Sequence, residues 1–199
     1  MDRKDVQRAW DDVAETYARS RDPTGNDADL VDDLREYLPA DPVVLDVGCG
    51  DGARTLANLP ADAIGVDVSR RALELATETV PGARLVQADM THLPLVDDSV
   101  DAITAYHAVF HVPRDDHPAV YREFARVCKP GGHLLMTLPT GRFETVREGW
   151  MGGRMFFSAP GERATLEQLE AAGFGDVRRV TADDPLGTKS LFAFATLGN

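Results

Sequence analysis

The stretch VVLDVGCGDG at residues 43–52 constrains the fold more than any other. An apolar run bounded by Pro42 and Gly48 reads as a strand buried on both faces. The glycines that follow it (Gly48, Gly50, Gly52) let the backbone turn tightly and come close to a ligand. The pattern then alternates. Residues 53–59 read as a helix and 63–68 as a second strand. Ser69 can cap a helix that ends at Pro81-Gly82. Residues 83–89 and 99–106 read as the third and fourth strands. A helix from about Asp116 carries Val120, Phe124 and Val127 on one face, with Pro118 in its first turn. Pro130-Gly131-Gly132 turns the chain into HLLMTLP, a fifth strand. Thr165 and Gln168 have capping-box spacing for a helix that stops at Gly173, and 177–182 and 190–197 read as two final strands. Strand–helix alternation of this kind specifies an α/β fold, with a doubly wound, mostly parallel seven-stranded sheet and helices on both faces.

Ahead of that unit, residues 4–18 place Val6, Trp10, Val13 and Tyr17 at helical spacing. RDPTGND (21–27) breaks the helix, and Leu30, Leu34 and Leu38 mark a second one. The expected organisation is a single domain: a helical N-terminal cap (1–40), a ligand-binding core (41–140), a long connection (139–163) and a C-terminal helix with strands (164–199). No apolar run approaches the ~20 residues of a membrane helix, and the charged N-terminus lacks a signal-peptide core. A cytoplasmic protein that engages no membrane is expected, with Cys49 and Cys128 as free thiols.

Ligands of open α/β sheets bind beyond the carboxyl ends of the strands. The residues there are Asp46, the glycine loop, Asp67 and Asp89. Residues 48–53 satisfy G-x-G-x-x-A, and Asp67, 15 residues past Gly52, can accept hydrogen bonds from a ribose diol. Asp46 and Asp51 argue against a dinucleotide. A carboxylate 4 Å from a pyrophosphate charge opposes it by about 4 kcal/mol at an effective dielectric of 20. A ligand with adenine and ribose, but with an ammonium and a sulfonium in place of phosphates, reverses the sign. S-adenosylmethionine is such a ligand. Two local readings stay open: Asp51 as a cap for the following helix, and Asp46 as a structural acceptor for loop amides.

VLDVGCGDG, GVDVS, QADMTHLPLVDDSVDAITAYHAVFHV and REFARVCKPGGHLLMTLP, in that order, resemble the class I S-adenosylmethionine-dependent methyltransferases, most closely their small-molecule branch. The resemblance implies a Rossmann-like fold, S-adenosylmethionine as cofactor with S-adenosylhomocysteine as product, and a set of contacts. Asp46 would bond the methionine ammonium, directly or through water. Gly48, Cys49 and Gly50 would let the backbone approach. Asp67 would hold the ribose diol and Val68 pack on adenine. Asp89 would accept from the adenine amine, and the Met90 amide address the ring. Ala105 and Tyr106 would line the methionine portion, and Tyr17 is a candidate lid residue.

Methyl transfer is an in-line displacement that depends on positioning, and the family implies no obligatory catalytic residue. His107 and His111 are the candidate bases, both beyond strand four and able to share a helical face if that segment is helical; a structural role for each stays open. His107, His111, Asp115 and His117 match no metal motif, and no metal is expected. In the connection 139–163, Phe143, Trp150 and Phe156 could line the pocket of a small organic acceptor, or simply pack a long loop. A nicotinamide-dependent oxidoreductase and a non-catalytic cofactor-binding protein are the alternatives. AYHAVF stands where amino-methylating DNA enzymes show an Asn/Asp-Pro-Pro-aromatic motif.

A net charge of −12 repels nucleic acid. It comprises 23 Asp and 10 Glu against 18 Arg and 3 Lys, a bias that resembles proteins of salt-loving microbes, where a salty cytoplasm screens self-repulsion. The denaturation midpoint is therefore expected to rise between dilute and molar KCl. Indifference to salt in a urea titration would contradict the halophilic reading.

Overall fold

A computed structural model describes residues 1–22, 25–183 and 186–199; two residues of the 21–27 break, 23 and 24, lie outside it. Seven strands form one sheet: β1 (Val44–Val47), β2 (Ile64–Asp67), β3 (Arg84–Gln87), β4 (Val100–Ala105), β5 (Cys128–Thr137), β8 (Phe174–Asp183) and β9 (Lys189–Leu197). Their order is β3-β2-β1-β4-β5-β9-β8. The five strands from β3 to β5 pair in parallel, and β9 runs antiparallel to both β5 and β8. The order reverses between β1 and β4, which opens a crevice at their carboxyl ends, the place where such sheets bind ligands.

Alternation along the strands sorts the core onto two faces. Leu45, Val47, Ile103, Leu134 and Met136 join Phe124 of α4 (His117–Val127) and Leu169 of α5 (Glu162–Ala171) on one side. Val44, Ala102 and Leu135 face Leu30 and Leu34 of α2 (Asp29–Arg35) on the other. The register sets Asp46 opposite Thr104 in the middle of the sheet. Asp46 therefore shares the buried side of Val44 rather than reaching solvent.

α1 (Arg3–Ser20) begins with a capping box made by Asp2 and Asp5 and crosses the crevice. α3 (Arg70–Thr79) starts on Ser69, whose hydroxyl accepts from the Ala72 amide at 3.1 Å, as the sequence indicates.

Three local expectations are corrected. Residues 53–59 form turns and a 3-10 segment, Leu56–Asn58, not an α-helix. Pro60 stops the segment, and inside it Arg54 reaches back to Asp27 while Thr55 turns in to Asp46. Thr165 does not cap a helix: α5 starts a turn earlier, after Gly161, and the Thr165 hydroxyl donates to the Gly161 carbonyl at 3.0 Å. The connection 139–163 is not a long loop. It folds as a hairpin of β6 (Arg142–Trp150) and β7 (Gly153–Pro160). On this hairpin Met155 and Phe157 pack on Ala9 and Val13 of α1, in a strand that is buried without interruption from Met155 to Ala159.

Phe124 is fully buried between α4 and the sheet, whereas Val96 is 74% exposed. Phe124→Ala should cost about 3–5 kcal/mol in urea unfolding. Val96→Ala should stay within about 0.5 kcal/mol.

Candidate active site

The floor of the cleft is the turn after β1. Gly48, Gly50 and Gly52 all have positive φ, at 71°, 57° and 77°, a region that L side chains enter at a cost. The Gly48 and Cys49 amides both donate to the Val66 carbonyl, at 2.7 and 3.1 Å. A Cβ on Gly48 would collide with Ala108, while one on Gly50 would meet nothing and project into open space. Gly48 is thus needed for packing, and Gly50 leaves bare backbone toward the cleft.

Asp67 ends β2 beside that turn. One oxygen accepts from the Gly50 amide at 2.9 Å and the other from the Ser69 amide at 2.8 Å. Each oxygen keeps a second lone pair. Burial pushes its pKa above the usual carboxylate value, and the backbone amides of Ser69, Gly50 and Val68 pull it back.

Asp46 is placed differently from expectation. It is 1% exposed, lies behind the cleft wall and accepts from the hydroxyls of Thr104, at 2.7 Å, and Thr55. Burial pushes its pKa up to about 6, against the pull of the two hydroxyls. Thr55 lines the cleft in its place, so Asp46 reaches a ligand only through that hydroxyl or a bridging water. Ala105 also turns away, into the core, because alternation presents the next residue, Tyr106, to the cleft. Gly48, Cys49, Gly50, Asp67, Val68, Asp89, Met90, Tyr106 and Tyr17 all line it, as do both histidines.

Asp51 does not cap a helix. It pairs with Arg21 beyond the end of α1, where Arg21 is buried and Asp51 is largely so. Asp89 is likewise engaged: Arg3 donates to it at 2.9 Å, and the Thr91 amide and hydroxyl do so at 2.9 and 2.8 Å. Arg3, Trp10 and Arg21 line the cleft from α1 and were missed by sequence reasoning. The signal was present. Positions 3, 6, 10, 14, 17 and 21 form one helical stripe whose ends happen to be arginines.

His107 and His111 do not share an α-helical face; the segment ends in a 3-10 turn, Val109–His111. His107 has φ of 51°, uncommon for a residue with a Cβ, and its amide donates to the Thr137 hydroxyl at 2.9 Å. His111 is buried with Nδ1 2.9 Å from the Phe156 carbonyl. Among the described residues no group of three or more His, Cys, Asp or Glu gathers as metal ligands. His117 instead binds the Val112 carbonyl and the Ser158 hydroxyl.

Phe143, Trp150 and Phe156 lie on the hairpin, not in the cleft wall. Trp150 stands behind the wall, its ring 5.5 Å from Trp10 and 5.6 Å from Tyr17, both of which line the cleft. Phe143 packs in the small cluster between α1 and the hairpin. Phe156 contributes its carbonyl to His111.

Residues 45–136 match a methyltransferase domain family. The chain is 30% identical over 186 residues to 27-O-demethylrifamycin SV methyltransferase of Amycolatopsis mediterranei, covering 88% of this chain and 60% of that protein. It is 28% identical over 139 residues to a tRNA (carboxymethyluridine(34)-5-O)-methyltransferase of Arabidopsis thaliana, covering 69% of this chain and 33% of that protein. It therefore spans about a third to three-fifths of the length of these relatives. The solved structure of SAM-bound CalS10, an amino pentose methyltransferase from Micromonospora echinaspora, matches with a TM-score of 0.68 at 22% identity, over 92% of this chain and 95% of that one, a likeness of fold.

A carboxyl group harder to ionise in the folded chain than in the unfolded one contributes stability below its unfolded pKa and loses it as pH rises through the folded value. For Asp46 that window runs from the usual 3.8 to about 6. Between pH 5 and 8, wild-type stability should therefore fall relative to Asp46→Asn by roughly 1–1.5 kcal/mol. A pH-independent difference in urea unfolding would mean that Asp46 ionises normally.

Proposed function

We propose that this chain, residues 45–136 of which match a methyltransferase domain family, is a class I S-adenosylmethionine-dependent methyltransferase that transfers the methyl group of that cofactor to a small organic acceptor by in-line displacement. The observation that carries the reading is the meeting of Gly50 with Asp67: bare backbone and a carboxylate with spare lone pairs face the cleft together. That pairing suits a ribose diol and repels a phosphate.

In this reading Asp67 holds the ribose hydroxyls, while Val68 and Met90 sandwich the adenine. Asp89 keeps lone pairs for the adenine amine even while Arg3 and Thr91 donate to it. Arg21 is the cation for the methionine carboxylate; its Nε is buried without a hydrogen-bond partner. Asp46 acts on the ammonium at one remove, through Thr55 or a water. Tyr106, Tyr17 and Trp10 enclose the methionine end, with Cys49 and the glycine turn beneath it. When bound, the cofactor supplies an electrophilic methyl on a positively charged sulfur. The protein's part is to align acceptor and methyl and to exclude water, and such positioning supplies ~7–11 kcal/mol of the barrier.

The net charge of −12 favours a small acceptor over tRNA, the substrate named for the Arabidopsis relative. Trp10 and Tyr17 of α1, backed by Trp150 of the hairpin, give the cleft an aromatic side that suits an organic molecule of modest size.

Calorimetry should give micromolar binding of S-adenosylmethionine and S-adenosylhomocysteine and none of NADH. Asp67→Ala should weaken the first two by about 1.5–3 kcal/mol. NADH binding alone would restore the oxidoreductase reading, and an unchanged affinity in a folded Asp67→Ala protein would sink the ribose assignment.

A further inference from the structure

Resting on the cofactor assignment proposed above, we propose that Asp46 holds a proton in the empty cleft, releases it when S-adenosylmethionine binds and keeps it when S-adenosylhomocysteine binds. Acidity then favours the product over the cofactor.

The aspartates around the glycine turn are held in three ways. Asp27 and Asp51 face guanidinium groups, those of Arg54 and Arg21. Asp67 accepts from backbone amides, at 2.9 Å from Gly50 and 2.8 Å from Ser69. Asp46 has neither. Among the described residues its hydrogen-bond partners are two hydroxyls, of Thr104 on β4 at 2.7 Å and of Thr55 beyond the turn.

That choice of partners is a chemical difference. A guanidinium or an amide only donates, so it has no use for the proton of a carboxylic acid. A threonine hydroxyl donates to a carboxylate and accepts from a carboxylic acid equally well. Thr55 and Thr104 therefore accommodate Asp46 in both protonation states. Asp46 is 1% exposed, and a carboxyl so enclosed without a cation in contact favours its neutral form. Thr55 also lines the cleft, which gives the proton a way out.

The surrounding charges leave Asp46 poised. Burial pushes its pKa up to about 6, with Asp67 at the end of β2 adding to the rise while the two hydroxyls and Arg21 beyond α1 oppose it. The Cys49 thiol of the turn and the Tyr106 phenol at the β4 exit also feel Asp46, and burial holds both neutral. Asp27 and Arg54 act on the same phenol with opposite sign.

The two ligands differ by one charge. Each brings an ammonium and a carboxylate. In the reading above the carboxylate occupies Arg21, the cation that favours ionised Asp46, and the ammonium takes its place, so the two effects offset each other. S-adenosylmethionine adds a sulfonium with no anion of its own. In a partly enclosed cleft that charge acts strongly on a buried carboxyl, and Asp46 answers it by losing its proton to solvent. Once the methyl group has left, sulfur is neutral and Asp46 takes a proton back. Because the ionised form binds the cofactor better, affinity for S-adenosylmethionine rises as pH climbs through about 6 and levels off above it.

Calorimetry of each ligand in two buffers of different ionisation enthalpy counts the protons. With S-adenosylmethionine, about half a proton should leave per molecule bound at pH 5.5–6, and almost none at pH 7. Affinity should rise about five- to tenfold between pH 5 and 7. With S-adenosylhomocysteine, no proton should leave and affinity should change by less than about twofold. Asp46→Asn should abolish the release and flatten the pH dependence. Thr55→Val removes a donor to the ionised form, so it should move the midpoint to higher pH, an assignment that stands even if Asp46→Asn does not fold. No release by the wild-type protein, equal release with both ligands, release that survives Asp46→Asn, or an unmoved midpoint in Thr55→Val would each overturn the proposal. Failure of the wild-type protein to bind S-adenosylmethionine at any of these pH values is a different result, which removes the cofactor assignment itself.

Discussion

The turn from Gly48 to Gly52 is the constraint on which the rest depends. Two successive amides, of Gly48 and Cys49, converge on the one carbonyl of Val66, and the Gly50 amide reaches the Asp67 carboxylate. A side chain on Gly48 would strike Ala108. One five-residue turn thereby ties together the ends of β1, β2 and β4. Only left-handed backbone makes this path, and only glycine adopts it at these positions without strain or collision. The cleft exists because the strand ends are held apart and level by this turn.

Over the turn lies α1, held by apolar and polar contacts of different character. Ala9 and Val13 pack on Met155 and Phe157 of the hairpin. Arg3 clasps Asp89 and Asp116, Asp11 accepts from the Ser69 hydroxyl, Glu15 pairs with Arg71, and Arg21 pairs with Asp51. In a chain so rich in carboxylates, the cleft would be strongly negative without these arginines. The most enclosed pairs, Arg21–Asp51 and Arg54–Asp27, lie beside the glycine turn. There, loss of one partner would leave a buried charge unpaired. Asp46 is tolerated within this set by two hydroxyl donors and by a pKa that has moved toward neutrality.

The parts of the fold governed by local pattern were legible. The Val44–Val47 run, Ser69 before its helix, and the alternation through β4 form where periodicity and caps indicated, whereas β5 begins at Cys128 and carries Pro130-Gly131-Gly132 within it instead of starting after a turn there. Errors arose where long-range contacts overrode local propensity. Residues 53–59 have a helical composition, but Arg54 and Thr55 are drawn to Asp27 and Asp46, and Pro60 leaves too little length to form α-helix. The hairpin was hidden because β6 is mostly exposed and charged, while β7 is buried without interruption from Met155 to Ala159, so neither strand shows a clear period of two.

The site divides in the same way. Glycines after a buried strand and an aspartate at the end of the next one are local features, dictated by the backbone path and by the ligand's charge, and they can be read from residue order. Which carboxylates remain open to a ligand is different. Asp51 and Asp89 are claimed by arginines 30 and 86 positions away, and Asp46 turns behind Thr55. His111 is held by a carbonyl 45 residues later. The sequence by itself determined the sheet, the glycine turn and the class of ligand, because these follow from neighbours in the chain. Only the tertiary structure decided which side chains face the cleft and in what state, because pairing and burial depend on residues that are brought together by folding.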